Sequence, residues 1–303
     1  MPARTASRIG RWLVSGPPLV YLIVFFAIPS LIMVLASFRT PGEFGGLAPL
    51  YEEGHIDLNL DSYARFFTES IYAQIFLKSV WYAFLTTLFS LALAYPLAAL
   101  IARSSKRYRD LLLLLVILPF WSNFLIRIYA WMIILGPNAA LARTVNGVLA
   151  TFGQEPVPLL FSAFAVLVAL VYVSLPFMVL PLYANLEKHD PALLEAAQDL
   201  GASAWQRFWR ITFPLSLPGV YAGGALVFIP AFGIFAIPDI LGGPEDSLIG
   251  NVIKQQFLET RDWPFGSVLS IVLTVAALAL AGLAAWVARH NLGTPSSLKE
   301  ARA

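Results

Sequence analysis

Polar and apolar residues are segregated along this chain into long blocks. Five stretches carry no Asp, Glu, Lys or Arg: Trp12–Phe38 (27 residues), Ser79–Ala102 (24), Pro156–Leu186 (31), Ile211–Pro238 (28) and Trp263–Ala288 (26). A sixth, Leu111–Leu135, is interrupted by Arg127 alone. A helix rises about 1.5 Å per residue, so about 20 apolar residues cross the ~30 Å hydrocarbon core of a bilayer. The pattern predicts six membrane-spanning helices near 17–38, 77–101, 111–135, 159–182, 215–239 and 264–288. The fold class is therefore all-α: a polytopic membrane protein with one transmembrane domain over 1–303. The first block is longer than the roughly 7–15 apolar residues of a cleaved signal, and it contains Pro17, Pro18 and Pro29, so it reads as a retained span.

The segments between these blocks differ in charge, and Lys and Arg concentrate on the cytoplasmic side of a membrane protein. With the N-terminus inside, thirteen fall on the cytoplasmic side: Arg4, Arg8, Arg11, Arg103, Lys106, Arg107, Arg109, Lys188, Arg207, Arg210, Arg289, Lys299 and Arg302. Five fall outside, at Arg39, Arg65, Arg143, Lys254 and Arg261, while Lys78 and Arg127 lie at or within spans. Both termini are expected in the cytoplasm.

Composition agrees with a lipid solvent. The chain is 58% hydrophobic and 13% charged, against ~45–50% and ~25% in soluble domains. That excludes a disordered chain and an ordinary soluble enzyme. A net charge of +2 lacks the basic excess of a nucleic-acid binder. With no cysteine, there is no disulfide framework, thiolate metal site or thiol nucleophile.

The most polar internal segment is 183–214, and its pattern is helical. Asp190 suits an N-cap and Pro191 the first helical position, where a missing N–H costs nothing. Gly201 then suits a left-handed stop, and Ser203 with Gln206 fits a capping box opening a second helix, which runs toward Thr212 and stops before Pro214. The second helix carries Trp205, Phe208 and Trp209, which suit protein or membrane packing better than a phosphate backbone.

Within this segment Glu195-Ala196-Ala197, three residues, Gly201, nine residues, and Ile211-Thr212-Phe213-Pro214 resemble the EAA loop of ABC importer permeases, whose pattern is E-A-A-x3-G-x9-I-x-L-P; Phe213 stands where Leu is usual. The stretches Leu118–Arg127 with Tyr129-Ala130-Trp131, Phe228–Gly233, Pro238–Gly243 and Arg261–Gly266 resemble the spermidine/putrescine branch of that family. The resemblance implies a type I importer permease-like bundle transporting polyamines. It also implies that Glu195, Ala196, Ala197, Gly201, Ile211 and Pro214 couple the chain to a separate ATPase. The implied partners are two copies of that ATPase, a second homologous permease, an extracytoplasmic substrate-binding protein and the lipid bilayer.

The residues themselves carry no catalytic constellation. There is no G-x-x-x-x-G-K-[ST], no H-E-x-x-H and no G-x-S-x-G, and His55, His189 and His290 are scattered. No enzyme activity, cofactor, metal or nucleic-acid partner is expected of the chain itself. Polar groups at membrane depth are costly and so mark candidate functional sites. Arg127 is one; Asp239, at the outer end of the fifth span, is its candidate charge partner. Trp121, Asn123, Tyr129 and Trp131 form a candidate pathway cluster whose aromatic faces attract organic cations. The competing function is an ion-coupled secondary transporter working without an ATPase, which would usually show inverted repeats and paired broken helices.

Overall fold

The structure, a computed structural model, describes residues 14–49, 51–52, 55–56 and 58–291. Arg4, Arg8, Arg11, Lys299 and Arg302 of the charge count lie outside the described residues, as does the side chain of Arg289. Six helical stretches are long and apolar enough to cross a membrane: Val14–Ala36, Ser70–Arg103, Phe124–Thr151, Ala163–Leu186, Ala204–Gly233 and Trp263–Ala284. Among the described residues the only strands are the two-residue pair Tyr51–Glu52 and His55–Ile56, antiparallel.

The chain forms two compact units, Met1–Ala73 with Val252–Val275, and Gln74–Asn251 with Ala276–Ala303. In the first, Val14–Ala36 is almost wholly exposed, as a lipid-facing helix is. Arg65, on the helix Asp61–Thr68, is the tie in this unit. It pairs with Asp262 and Glu69 at 3.1 Å each, donates to the Tyr72 hydroxyl at 2.9 Å and lies 4.3 Å from the centre of the Phe265 ring. The turn at Gly45 and Gly46, with φ of +89° and +81°, reaches the same region, where the Gly46 N–H donates to the Arg261 carbonyl at 2.7 Å.

In the second unit two apolar clusters hold the helices. One joins Tyr82, Ile128, Leu135, Val166, Leu170, Ile237 and Leu241; the other joins Ala94, Ala98, Ile101, Met178, Leu182 and Val227. The helices Ala163–Leu186 and Phe213–Gly233 approach each other closely. A Cβ at Gly219 would stand 2.9 Å from the Asn185 Cβ, and one at Gly223 would stand 2.7 Å from the Met178 sulfur. Gly219 and Gly223 are a G-x-x-x-G pair, the spacing that lets membrane helices pack backbone to backbone.

Three sequence expectations are corrected. No single helix covers 111–135: Lys106–Ile117 ends in a 3-10 turn at Leu118–Trp121, Ser122 and Asn123 are extended, and a new helix starts at Phe124. Pro119 favours the break, since it has no N–H for the Leu115 carbonyl and its ring crowds it. The fifth span does not run to 239: it ends at Gly233, and Ala236–Leu241 is a separate short helix. Pro238 forbids the corresponding bond to Ile234, whose backbone turns extended at ψ 141°. Gly250 then packs so closely on the released Gly233 and Ile234 carbonyls that a Cβ there would meet them at 2.5 and 2.8 Å. Finally, the helix begun at Ala204 does not stop before Pro214. A π turn at Phe208–Thr212, closed by the Phe213 N–H on the Phe208 carbonyl, carries it past the proline into the fifth span.

Candidate coupling loop and pathway residues

The loop 183–214 is built by local hydrogen bonds. The Asp190 carboxylate caps the helix Pro191–Asp199 by accepting from the Ala192 N–H at 3.0 Å. At its other end the Ala202 N–H donates to the Ala197 carbonyl and the Gly201 N–H to the Gln198 carbonyl, both at 2.9 Å. These are the two bonds of a Schellman stop, with Gly201 left-handed at φ +78°. The Ser203–Gln206 capping box forms: the Gln206 N–H donates to the Ser203 hydroxyl at 3.3 Å, and the Ser203 N–H to the Gln206 side-chain carbonyl at 2.8 Å. Arg207 donates to Gln198 at 2.7 Å, tying the two helices into one corner.

This corner leaves a patch open. Glu195, Ala196 and Pro214 are exposed, Ala197 and Ile211 half-buried, and nothing lies within 4 Å of a Cβ built on Gly201. Leu200 is 87% exposed and Trp205 70%, a density of bare apolar surface that asks for a partner. The inner side of the second helix is anchored instead: Phe208 and Phe213 meet the Tyr95 ring at 5.5 and 6.1 Å, and the Tyr95 hydroxyl lies 2.9 Å from that of Ser216. At the base of the loop Arg109 pairs with Glu187 and donates to the Ala102 and Ser104 carbonyls at 3.4 and 3.3 Å.

The six candidate pathway residues do not converge. Trp121 is exposed in the break. The Asn123 side chain is spent as an N-cap, accepting from the Leu125 N–H at 2.8 Å. Tyr129 is exposed, and Trp131 packs on Tyr172 at 5.5 Å between ring centres. The helices bearing Arg127 and Asp239 share one apolar cluster through Ile128 and Ile237, and each charge has a neighbour of its own. The Arg127 guanidinium lies 4.9 Å from the centre of the Phe120 ring with its Nε buried and unpartnered, and the Asp239 carboxylate accepts from the Asn251 amide. A polar cluster that sequence reasoning missed joins residues far apart in the chain: Lys78, Tyr82 and Asp246 meet, with Lys78–Asp246 at 3.7 Å and the Tyr82 hydroxyl donating to Asp246 at 3.3 Å. Its signal in the sequence was a lysine at a span boundary with no partner assigned.

Residues 94–291 match the family model described as "Binding-protein-dependent transport system inner membrane component". The chain belongs to this family. The permease is 42% identical over 281 residues to the spermidine/putrescine transport system permease protein PotB of Escherichia coli K12, covering 92% of this chain and 98% of that one. It is 44% identical over 257 residues to PotB of Salmonella typhimurium LT2, covering 84% and 85%. A bacterial alginate ABC transporter, crystallised in complex with its alginate pentasaccharide-bound periplasmic protein, shares the fold: TM-score 0.72 at 20% identity over 94% of this chain and 96% of that one. The two broken stretches found here are a feature also expected of secondary transporters, but family membership places them in an importer permease.

Proposed function

We propose that this permease carries polyamines, putrescine and spermidine, across the bacterial inner membrane as one subunit of an ATP-driven importer. The observation that carries the substrate class is the 42% identity to E. coli PotB over 92% of the chain. In the proposed assembly this chain pairs with a second homologous permease, a soluble binding protein delivers substrate from outside, and two ATPase copies bind inside. The loop 183–214 is the coupling element. Exposed Glu195 faces a basic partner, Ala196 and Ala197 let that partner approach closely, and the Gly201 stop sets the corner between the two helices. Closure of the ATPases on ATP pushes this corner, and the unbroken helix Ala204–Gly233 carries the push into the membrane.

Both termini lie in the cytoplasm in this proposal. The thirteen-to-five distribution of Lys and Arg supports it. The ion pairs agree with the alternation of sides without setting its sense: Arg109 with Glu187 joins two segments of one side, and Lys78, at the end of its span, with Asp246 joins two of the other.

Uptake of radiolabelled putrescine by vesicles carrying the complete complex tests the function. We expect ATP-dependent uptake that Glu195→Lys abolishes while leaving the chain inserted. Robust uptake of an amino acid or sugar with none of any polyamine would overturn the substrate class. Undiminished uptake and ATPase in Glu195→Lys would overturn the docking role.

A further inference from the structure

In the second unit a lysine ammonium sits in a cradle built by other residues. Asp246 forms its floor, with a side chain 12% exposed. One carboxylate oxygen accepts from the Gly243 N–H at 3.0 Å, and the other accepts from the Tyr82 hydroxyl at 3.3 Å. The carboxylate is thus held by two donors that do not depend on the lysine. Lys78 Nζ stands 3.7 Å from the second oxygen, donates to the Glu245 carbonyl, and lies 5.8 Å from the centre of the Tyr82 ring.

A carboxylate, a carbonyl oxygen and an aromatic face around one point are what recognises a primary alkylammonium: counter-charge, a hydrogen-bond acceptor and a π quadrupole. The lysine side chain, an ammonium on a flexible four-carbon stem, is chemically one end of a diaminoalkane. Its contact to the carboxylate is longer than the ~2.7–2.9 Å of a good charge-assisted bond, and its side chain is 31% exposed. We propose that Asp246, the Glu245 carbonyl and Tyr82 form an ammonium site for the transported cation, and that Lys78 is a tethered placeholder that the substrate ammonium displaces. This rests on the polyamine function proposed above. The site stays neutralised when empty, so no partly buried carboxylate is left bare between transport cycles.

The test is equilibrium binding of radiolabelled putrescine to the purified complex in vesicles, without the soluble binding protein, alongside uptake with it. Lys78→Met removes the internal competitor and is expected to tighten putrescine binding by about two- to fivefold, the range a partly exposed ion pair commands. Asp246→Asn keeps an acceptor for Gly243 and is expected to weaken binding by at least as much. In the Asp246→Asn background Lys78→Met should have no further effect. A second neutral variant, Lys78→Gln, with co-purification of the ATPase as the assembly check, guards against misfolding. If the pair is only a structural latch, Lys78→Met and Asp246→Asn weaken binding alike or leave it unchanged, and the proposal fails. Absence of putrescine binding in both wild type and Lys78→Met also overturns it, whereas absence of wild-type polyamine uptake overturns the underlying function.

Discussion

Replacing Gly201 isolates one physical term. Its φ of +78° is left-handed, and a Cβ there meets nothing within 4 Å, so no clash adds to the cost in this chain. For an L-residue the left-handed conformation costs roughly 1–2 kcal/mol, while Asn visits it routinely. That energy is a factor of about 5–30 in the population of the native turn. The Schellman bonds at Ala202 and Gly201 and the capping box at Ser203 flank this residue, so losing the turn misaligns the two helices of the proposed docking corner. Gly201→Ala should therefore lower uptake and binding-protein-stimulated ATPase together, by up to about 5- to 30-fold, with Gly201→Asn within about threefold of wild type. The assay is polyamine uptake and ATP hydrolysis in the same vesicles, normalised to chain inserted. Wild-type coupling in Gly201→Ala would refute the conformational argument. Equal damage by Asn and Ala would refute it too, because the space beside Gly201 would then be filled by the docked partner.

Other consequences follow from the same structure. Gly223→Leu should prevent close packing on Met178 and reduce recovery of assembled complex on co-purification, whereas Gly224→Ala, whose Cβ meets only Thr87 at 3.7 Å, should leave recovery unchanged. The chain has no native cysteine, so Ser203→Cys should resist an impermeant thiol reagent applied to intact cells and react in inverted vesicles; labelling from outside would sink the topology. Because Arg127 stacks on Phe120, a double-mutant cycle of Arg127→Gln with Phe120→Leu should show coupling of about 0.5–2 kcal/mol in transport rate. The cycle of Arg127→Gln with Asp239→Asn should be additive.

The sequence made some of this legible and hid the rest. The membrane class, the capped helix from Pro191, the Gly201 stop and the Ser203–Gln206 box were all visible, because each depends on bonds between residues a few positions apart. Helix ends at prolines were harder. Pro119, Pro214 and Pro238 all forbid an N–H bond to the residue four back, yet the chain breaks at Pro119 and Pro238 and widens into a π turn at Pro214. What decides between these outcomes is packing, such as Gly250 against the released carbonyls of Gly233 and Ile234, and that is set by residues distant in sequence. Long-range polar pairs were hidden for the same reason. Arg127 and Asp239 matched in depth but each has a neighbour of its own, while Lys78 and Asp246 lie 168 positions apart (246 less 78).

The distribution of breaks bears on how a push from the loop would travel. Between Ala204 and Gly233 the helix crosses Pro214, Pro218 and Pro230 without interruption, and Gly219 and Gly223 seat it against the helix Ala163–Leu186. The helix is continuous although Pro214, Pro218 and Pro230 each lack the N–H for the carbonyl four residues back, so axial displacement is carried by the remaining bonds and by packing on Ala163–Leu186. At Gly233 this continuity ends, and the next helix, Ala236–Leu241, is linked only through Ile234 and Phe235. Displacement arriving there is free to become rotation of the short helix, because two residues with non-helical backbone absorb the change. That short helix carries Asp239 and leads directly into the Gly243–Asp246 turn whose carboxylate holds the Lys78 ammonium. In the proposed mechanism a continuous helix on the side of the loop and a hinge on the side of the Lys78–Asp246 pair would let motion started at the loop reach the proposed cation site.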